Sequence, residues 1–234
     1  GQGARARAAL ALARSRPGAD EAALRFQEAA LFVAEGELAR ALDWLDQAPA
    51  TAEAELAARI DAERARLLSA LGQAGRALEL VDERLDLCEG QDLELSVVAE
   101  LLTERARALH AAGCEREEAI EAVLLATALE PTFQPAAELL RAIDDRRSGS
   151  TRVYHVVVEA REPLLGLDPP RPGLDGHCRS YCVIADSPQA ARTFALRYEQ
   201  APCAGAVACE EREPLPGEPM GVVAAGPARR FSGS

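Results

Sequence analysis

With 234 residues, 48% of them hydrophobic and 27% charged, the chain can bury the cores of two ordinary domains and is not a disordered segment. Its formal charge is −12, carried almost wholly by residues 1–150, which hold 17 Arg against 28 Asp or Glu, where the remainder holds 9 against 10. Such a surface repels phosphate backbones and argues against nucleic-acid binding, and the absence of Lys excludes Schiff-base and lysine-nucleophile chemistry.

The missing Lys and Asn fit a GC-rich bacterial genome, which avoids their codons. No signal peptide, lipidation motif or apolar run of membrane length occurs, so a cytoplasmic chain with reduced thiols and no membrane contact is expected.

In chain order, Ala- and Leu-rich segments predict helices near 4–15, 20–35, 37–47, 52–71, 74–87, 93–112, 115–129 and 133–146. A spacing recurs among them. Gly36, Gly72 and Gly113 each precede a small residue, Ala41, Ala77 or Ala119, and an apolar one lies four further on, at Leu45, Val81 and Val123. Upstream, a small residue precedes a large one by three: Ala29 and Phe32, Ala65 and Leu68, Ala106 and Leu109. The small residue admits a close partner helix, the large one fills the adjoining gap, and the glycine ends the helix in the left-handed conformation.

This pattern resembles the tetratricopeptide repeat family, most closely in "LLTERARALHAAGCEREEAIEAVLLATALEP", then in "DAERARLLSALGQAGRALELVDERL", and more loosely in "RFQEAALFVAEGELARALDWLDQA". The resemblance spans about residues 3–146. It lacks the family's helix-A Trp and Leu-Gly pair, and the steps between glycines are 36 and 41 residues. Aligned on Gly3, Ala8 and Leu12, residues 4–15 read as the second helix of a repeat, so either further repeats precede Gly1, the favoured expectation, or this helix is a simple cap.

The resemblance implies a concave groove lined by the first helix of each pair. Its positions here are Ala23, Phe26, Ala30 and Val33; Arg59, Ala62, Arg66 and Ser69; and Glu100, Thr103, Arg107 and His110. The candidate partner-binding residues are therefore Phe26, Arg59, Arg66, Arg107 and His110. The Arg residues would form a local basic patch suited to an acidic or C-terminal carboxylate peptide. The alternative is that they pair with neighbouring Glu.

"DDRRSGSTR" reads as a linker, dividing the chain into a helical-repeat domain over 1–147 and a second domain over 148–234. "RVYHVVVEAR" predicts a strand with Val153, His155, Val157 and Glu159 on one face, followed by the Pro- and Gly-rich loop "EPLLGLDPPRPGLDGH". A strand over 178–185 leads through Ser187 as N-cap and Pro188 into a helix to about 200. Strands in "AGAVACEERE" and "MGVVAAG" follow, and "PARRFSGS" reads as a frayed end. The fold class is an α-solenoid followed by a small α+β domain with a mostly antiparallel sheet, in the order strand, loop, strand, helix, strand, strand.

His177, Cys178, Cys182, Cys203 and Cys209 invite a zinc reading, but no CxxC occurs. Cys178 and Cys182 share a strand face with Ser180 and Ile184 and are expected to be core residues. No metal, cofactor or catalytic residue is assigned, and no P-loop or GxGxxG occurs. The expected function is a protein-interaction or regulatory adaptor module. The alternative is an effector or enzyme in which His155 or His177 serves Cys178 or Cys182 and the repeats recruit substrate.

Overall fold

The computed structural model describes residues 2–49, 52–160, 176–199, 203–214, 217–226 and 229–231, with the side chains of Gln2, Ala4, 229–231 and, Ala206 excepted, 203–214 left aside. Its contacts divide the chain into two compact units, Gly1–Cys114 and Glu115–Ser234. The expected division at 147/148 falls inside the second unit. The Pro- and Gly-rich loop as far as residue 175 and the last three residues lie outside the described part, and the loop's last two residues, Gly176 and His177, begin a strand.

The first unit holds six helices among its described residues: α1 (Gln2–Arg14), α2 (Glu21–Ala34), α3 (Leu38–Asp46), α4 (Ala54–Ala70), α5 (Ala74–Cys88) and α6 (Leu95–Ala112). Consecutive helices pack on each other, and α4 also meets α6. The recurrent small and large residues form the core: Ala29, Ala41, Ala65 and Ala77 are fully buried, and Phe32, Leu45, Leu68 and Val81 pack among them. Alanine at the contact lets helix axes approach closely, and the larger residues interdigitate beside it.

Helix ends follow their local chemistry. The Asp20 carboxylate accepts from the amides of Ala22 at 2.9 Å and Ala23 at 3.2 Å, capping α2. Gly113 ends α6 at φ +74°, and Gly36 and Gly72 take the same conformation after α2 and α4. The first helix departs from the pattern. Leu12, the counterpart of Leu45, is 62% exposed, and α1 is held to α2 by Arg7–Glu35 and Arg14–Glu28 ion pairs.

The second unit begins with α7 (Arg116–Leu129) and α8 (Gln134–Asp144) and continues with β1 (Arg152–Ala160), β2 (Gly176–Ala185), α9 (Pro188–Glu199), β3 (Cys203–Pro214), β4 (Gly221–Ala225) and β5 (Arg229–Phe231). All strand pairs are antiparallel, in the order β3-β1-β2-β4, with β5 also on β2. β5 stands where a frayed end was expected. Ser187 caps α9 as expected, its Oγ accepting from the Ala190 amide at 3.2 Å.

Strand alternation sorts the residues of β1 and β2 onto two faces. Tyr154, Val156, Val158, Tyr181, Val183 and Ala185 face the core, where Ala191, Ala195 and Tyr198 of α9 and Ala137 of α8 cover them. Val153, His155, Val157 and Glu159 occupy the other face, as the sequence predicts, and are half-buried or exposed.

The expected linker is tied into this unit. Met220 N donates to Arg146 O at 2.7 Å, and Thr151 is fully buried. Asp144, at the end of α8, is also buried and meets Arg116 of α7 at 3.2 Å, Arg146 at 3.3 Å and Arg197 of α9 at 3.4 Å. A carboxylate at that depth needs such partners, and here they draw three segments together.

Candidate functional site

Helical periodicity brings Arg59 and Arg66 onto one face of α4, and Glu100, Glu104 and Arg107 onto the facing side of α6. Arg59 reaches Glu100 across the two helices at 3.3 Å and Glu94 at 3.5 Å. Arg66 forks onto Glu63, with Nε–Oε2 at 2.7 Å and Nη2–Oε1 at 2.5 Å. Arg107 Nε donates to Glu104 at 2.8 Å. The face is therefore a ribbon of alternating charges rather than a basic patch, and the pairing with neighbouring Glu is the arrangement observed.

The ribbon has perturbed protonation. Burial pushes the Glu104 carboxyl above the usual carboxylate range, against the pull of Arg107 and Arg66. Burial does the same to Glu100, opposed by Arg59. The Arg66 guanidinium is held above its ordinary value, first by its hydrogen bonds to Glu63.

Of the remaining groove positions, Ala62 and Thr103 are closed into the core, and Thr103 Oγ1 donates to Ala99 O at 2.7 Å within its own helix. His110 is exposed in the last turn of α6, and Phe26 is half-buried against the core on α2. Glu63 and Glu104, the partners that neutralise Arg66 and Arg107, were not among the expected site residues. Their i,i+3 spacing to those arginines was the signal that could have found them.

In the second unit the histidines part company. His155 lies on the outer sheet face directly opposite Cys182 of β2 and Cys209 of β3 in register. His177 is on the opposite, covered face and is 2% exposed. Cys178 and Cys182 are half-buried on the outer face, beside exposed Ser180, which corrects the expectation that they are core residues. Their side follows from the even strand period, but that side is not the one the helices cover. The side chains of Cys203 and Cys209 lie outside the described part. Among the described residues no group of three His, Cys, Asp or Glu could hold a metal ion.

The buried face carries a cluster that the motifs did not suggest. His177, Arg179 and Tyr181 alternate along β2, and all three meet Glu199 at the end of α9. His177 Nε2 lies 2.7 Å from Glu199 Oε1 and must be the donor, because a carboxylate only accepts. Arg179 Nη1 donates at 3.4 Å, and the Tyr181 hydroxyl donates to Oε2. Burial, then the Glu199 charge, pushes the Tyr181 phenol well above its usual range. With all four groups closed from solvent, the arrangement is a clasp between sheet and helix.

No protein-family model, curated protein or solved structure matches this chain. No helix among the described residues is long and apolar enough to cross a membrane.

Proposed function

We propose that the chain is a protein-interaction or adaptor module of the cytoplasm, built on tetratricopeptide-like helical hairpins, with the α4/α6 face docking a partner peptide or helix. The observation that carries this reading is the charged ribbon of Arg59, Arg66 and Arg107, three guanidiniums held in order on adjacent helices and still a third or more exposed. Surface ion pairs of this kind are individually worth little, about 0–1 kcal/mol, and are therefore exchangeable. A partner's carboxylates replace Glu63, Glu100 or Glu104 on the guanidinium forks, and a displaced Glu100 or Glu104, whose carboxyl burial already raises, accepts a proton. The α+β unit serves as a second binding or assembly element.

The test is isothermal titration of an array of acidic peptides with free C-terminal carboxylates, against the wild-type chain and the Arg59→Glu and Arg107→Glu variants. Binding to the wild type that each reversal weakens at least tenfold supports the assignment. Unchanged binding removes this face from the mechanism.

A second reading, an effector or enzyme with a Cys/His site, rests on His155 lying opposite Cys182. Directly opposed residues bring their Cβ atoms within about 5 Å. It requires the rate of Cys182 alkylation to fall in His155→Ala, and equal rates in the two proteins remove it.

A further inference from the structure

A different surface of the helical unit holds a groove of about 320 Å³ between α3, α4 and α5. Its walls have a simple origin. Ala57, Ile60, Asp61 and Arg64 line it from α4, and Leu80, Glu83, Arg84 and Leu87 from α5, both at the i, i+3, i+4, i+7 spacing of one helix stripe. Leu45 and Pro49 also line it. Its lining is mixed, with the apolar Leu45, Ile60 and Leu80 beside the charged Asp46, Asp61, Arg64, Glu83 and Arg84, and Leu87 stands 52% exposed.

The charges along the groove are neutralised with one exception. Asp46, Arg64, Asp61 and Arg84 form a continuous relay, with Arg64 to Asp46 at 2.6 Å, Arg64 to Asp61 at 2.9 Å and Arg84 to Asp61 at 2.5 Å. Two cations and two anions cancel. Glu83 is exposed and has no ion-pair partner among the described residues, and the same holds for Glu79 and Asp86 on that exposed side of α5. The unit as a whole carries 13 Arg against 20 Asp or Glu.

We propose that this groove is a second docking site, which takes a partner segment presenting an apolar anchor residue flanked by Arg or Lys. The volume lies at the lower end of the range for ligand pockets, about 300–1,000 Å³, and suits one or two buried side chains rather than a large cofactor. The anchor enters between Ile60 and Leu80, covers Leu87, and leaves the relay intact. The flanking cation meets Glu83. The acidic field of α5 steers the approach and selects against acidic segments. The chemistry is opposite in sign to that proposed for the α4/α6 face, so the two sites do not compete for one ligand.

The probes are fluorescein-labelled decapeptides with a central Leu-Leu pair flanked by Arg, by Ala or by Glu, titrated against the full chain by fluorescence polarisation. The Arg-flanked peptide is expected to bind at least tenfold more tightly than the Ala-flanked one, and the Glu-flanked one to be weakest. Leu87→Arg should abolish binding, and Glu83→Arg should reverse the order of the Arg- and Glu-flanked peptides. Both positions are exposed, so the variants keep the core, and circular dichroism verifies it. Arg59→Glu and Arg107→Glu should leave these affinities unchanged, which separates this site from the α4/α6 face. No binding of the Arg-flanked peptide, or binding that survives Leu87→Arg and Glu83→Arg, overturns the proposal.

Discussion

Replacing Glu199 by Gln tests the clasp beneath the sheet. The carboxylate lies where His177 and Arg179 of β2 are only 2% and 5% exposed, so water cannot substitute for it. Gln keeps the shape and removes the charge. The guanidinium of Arg179 is then a buried cation without a counter-ion, and its Nε already has no hydrogen-bond partner among the described residues. Breaking a buried pair by removing one partner costs about 3–5 kcal/mol. That is a large share of the roughly 5–15 kcal/mol that holds a domain folded. The assay has a built-in division: the single Trp lies in the helical unit, at Trp44, and all three Tyr lie in the second. Urea unfolding followed by tyrosine near-ultraviolet circular dichroism therefore reports the second unit. Glu199→Gln should lower its stability by about 3–5 kcal/mol, and adding Arg179→Met should recover most of the loss. A loss below about 1 kcal/mol, or no recovery in the double variant, refutes the clasp.

Three further expectations follow from the same geometry. Ala65→Leu places an isobutyl group where Ala65 is fully buried between helices; overpacking should cost about 1–3 kcal/mol in the Trp44-monitored transition. Because burial raises the Glu104 carboxyl above its unfolded range, the folded state is penalised at neutral pH and relieved as pH falls through the raised value. Glu104→Gln should therefore unfold at higher urea than the wild type at pH 7, the gap closing near pH 4, and a less stable variant at pH 7 counts against the desolvated carboxyl. Burial likewise raises the phenols of Tyr181 and Tyr198. The unfolded chain loses these protons above about pH 10 while the folded unit keeps them, so stability should fall there by up to about 1.4 kcal/mol per pH unit for each tyrosine. Absorbance at alkaline pH should show the Tyr181 and Tyr198 phenols ionising only together with unfolding, and their ionisation in the folded chain refutes it.

Much of the local architecture was legible in consecutive residues. The eight helices from α1 to α8 fall within about two residues of their expected bounds, because capping groups, glycines and 3.6-residue periodicity act over a single turn. The small and large core residues from Ala29 to Leu109 were readable for the same reason: spacing along one helix assigns a face. Two-residue alternation assigned the faces of β1 and β2 equally well, yet it left open which face the helices cover. Cys178 and Cys182 went astray at that step.

By itself, the sequence determined the helices, the two faces of β1 and β2 and the acidic character of the first 150 residues. Only the tertiary structure decided that Arg59 meets Glu100 across two helices, that Glu199 lies under His177, Arg179 and Tyr181, and that α7 and α8 belong with the sheet. The reason is the range of the forces. Helix propensity and strand alternation are properties of neighbours in the chain. The effective charge of a side chain is set by whichever distant residue packing brings within about 4 Å, and by how much water that packing removes.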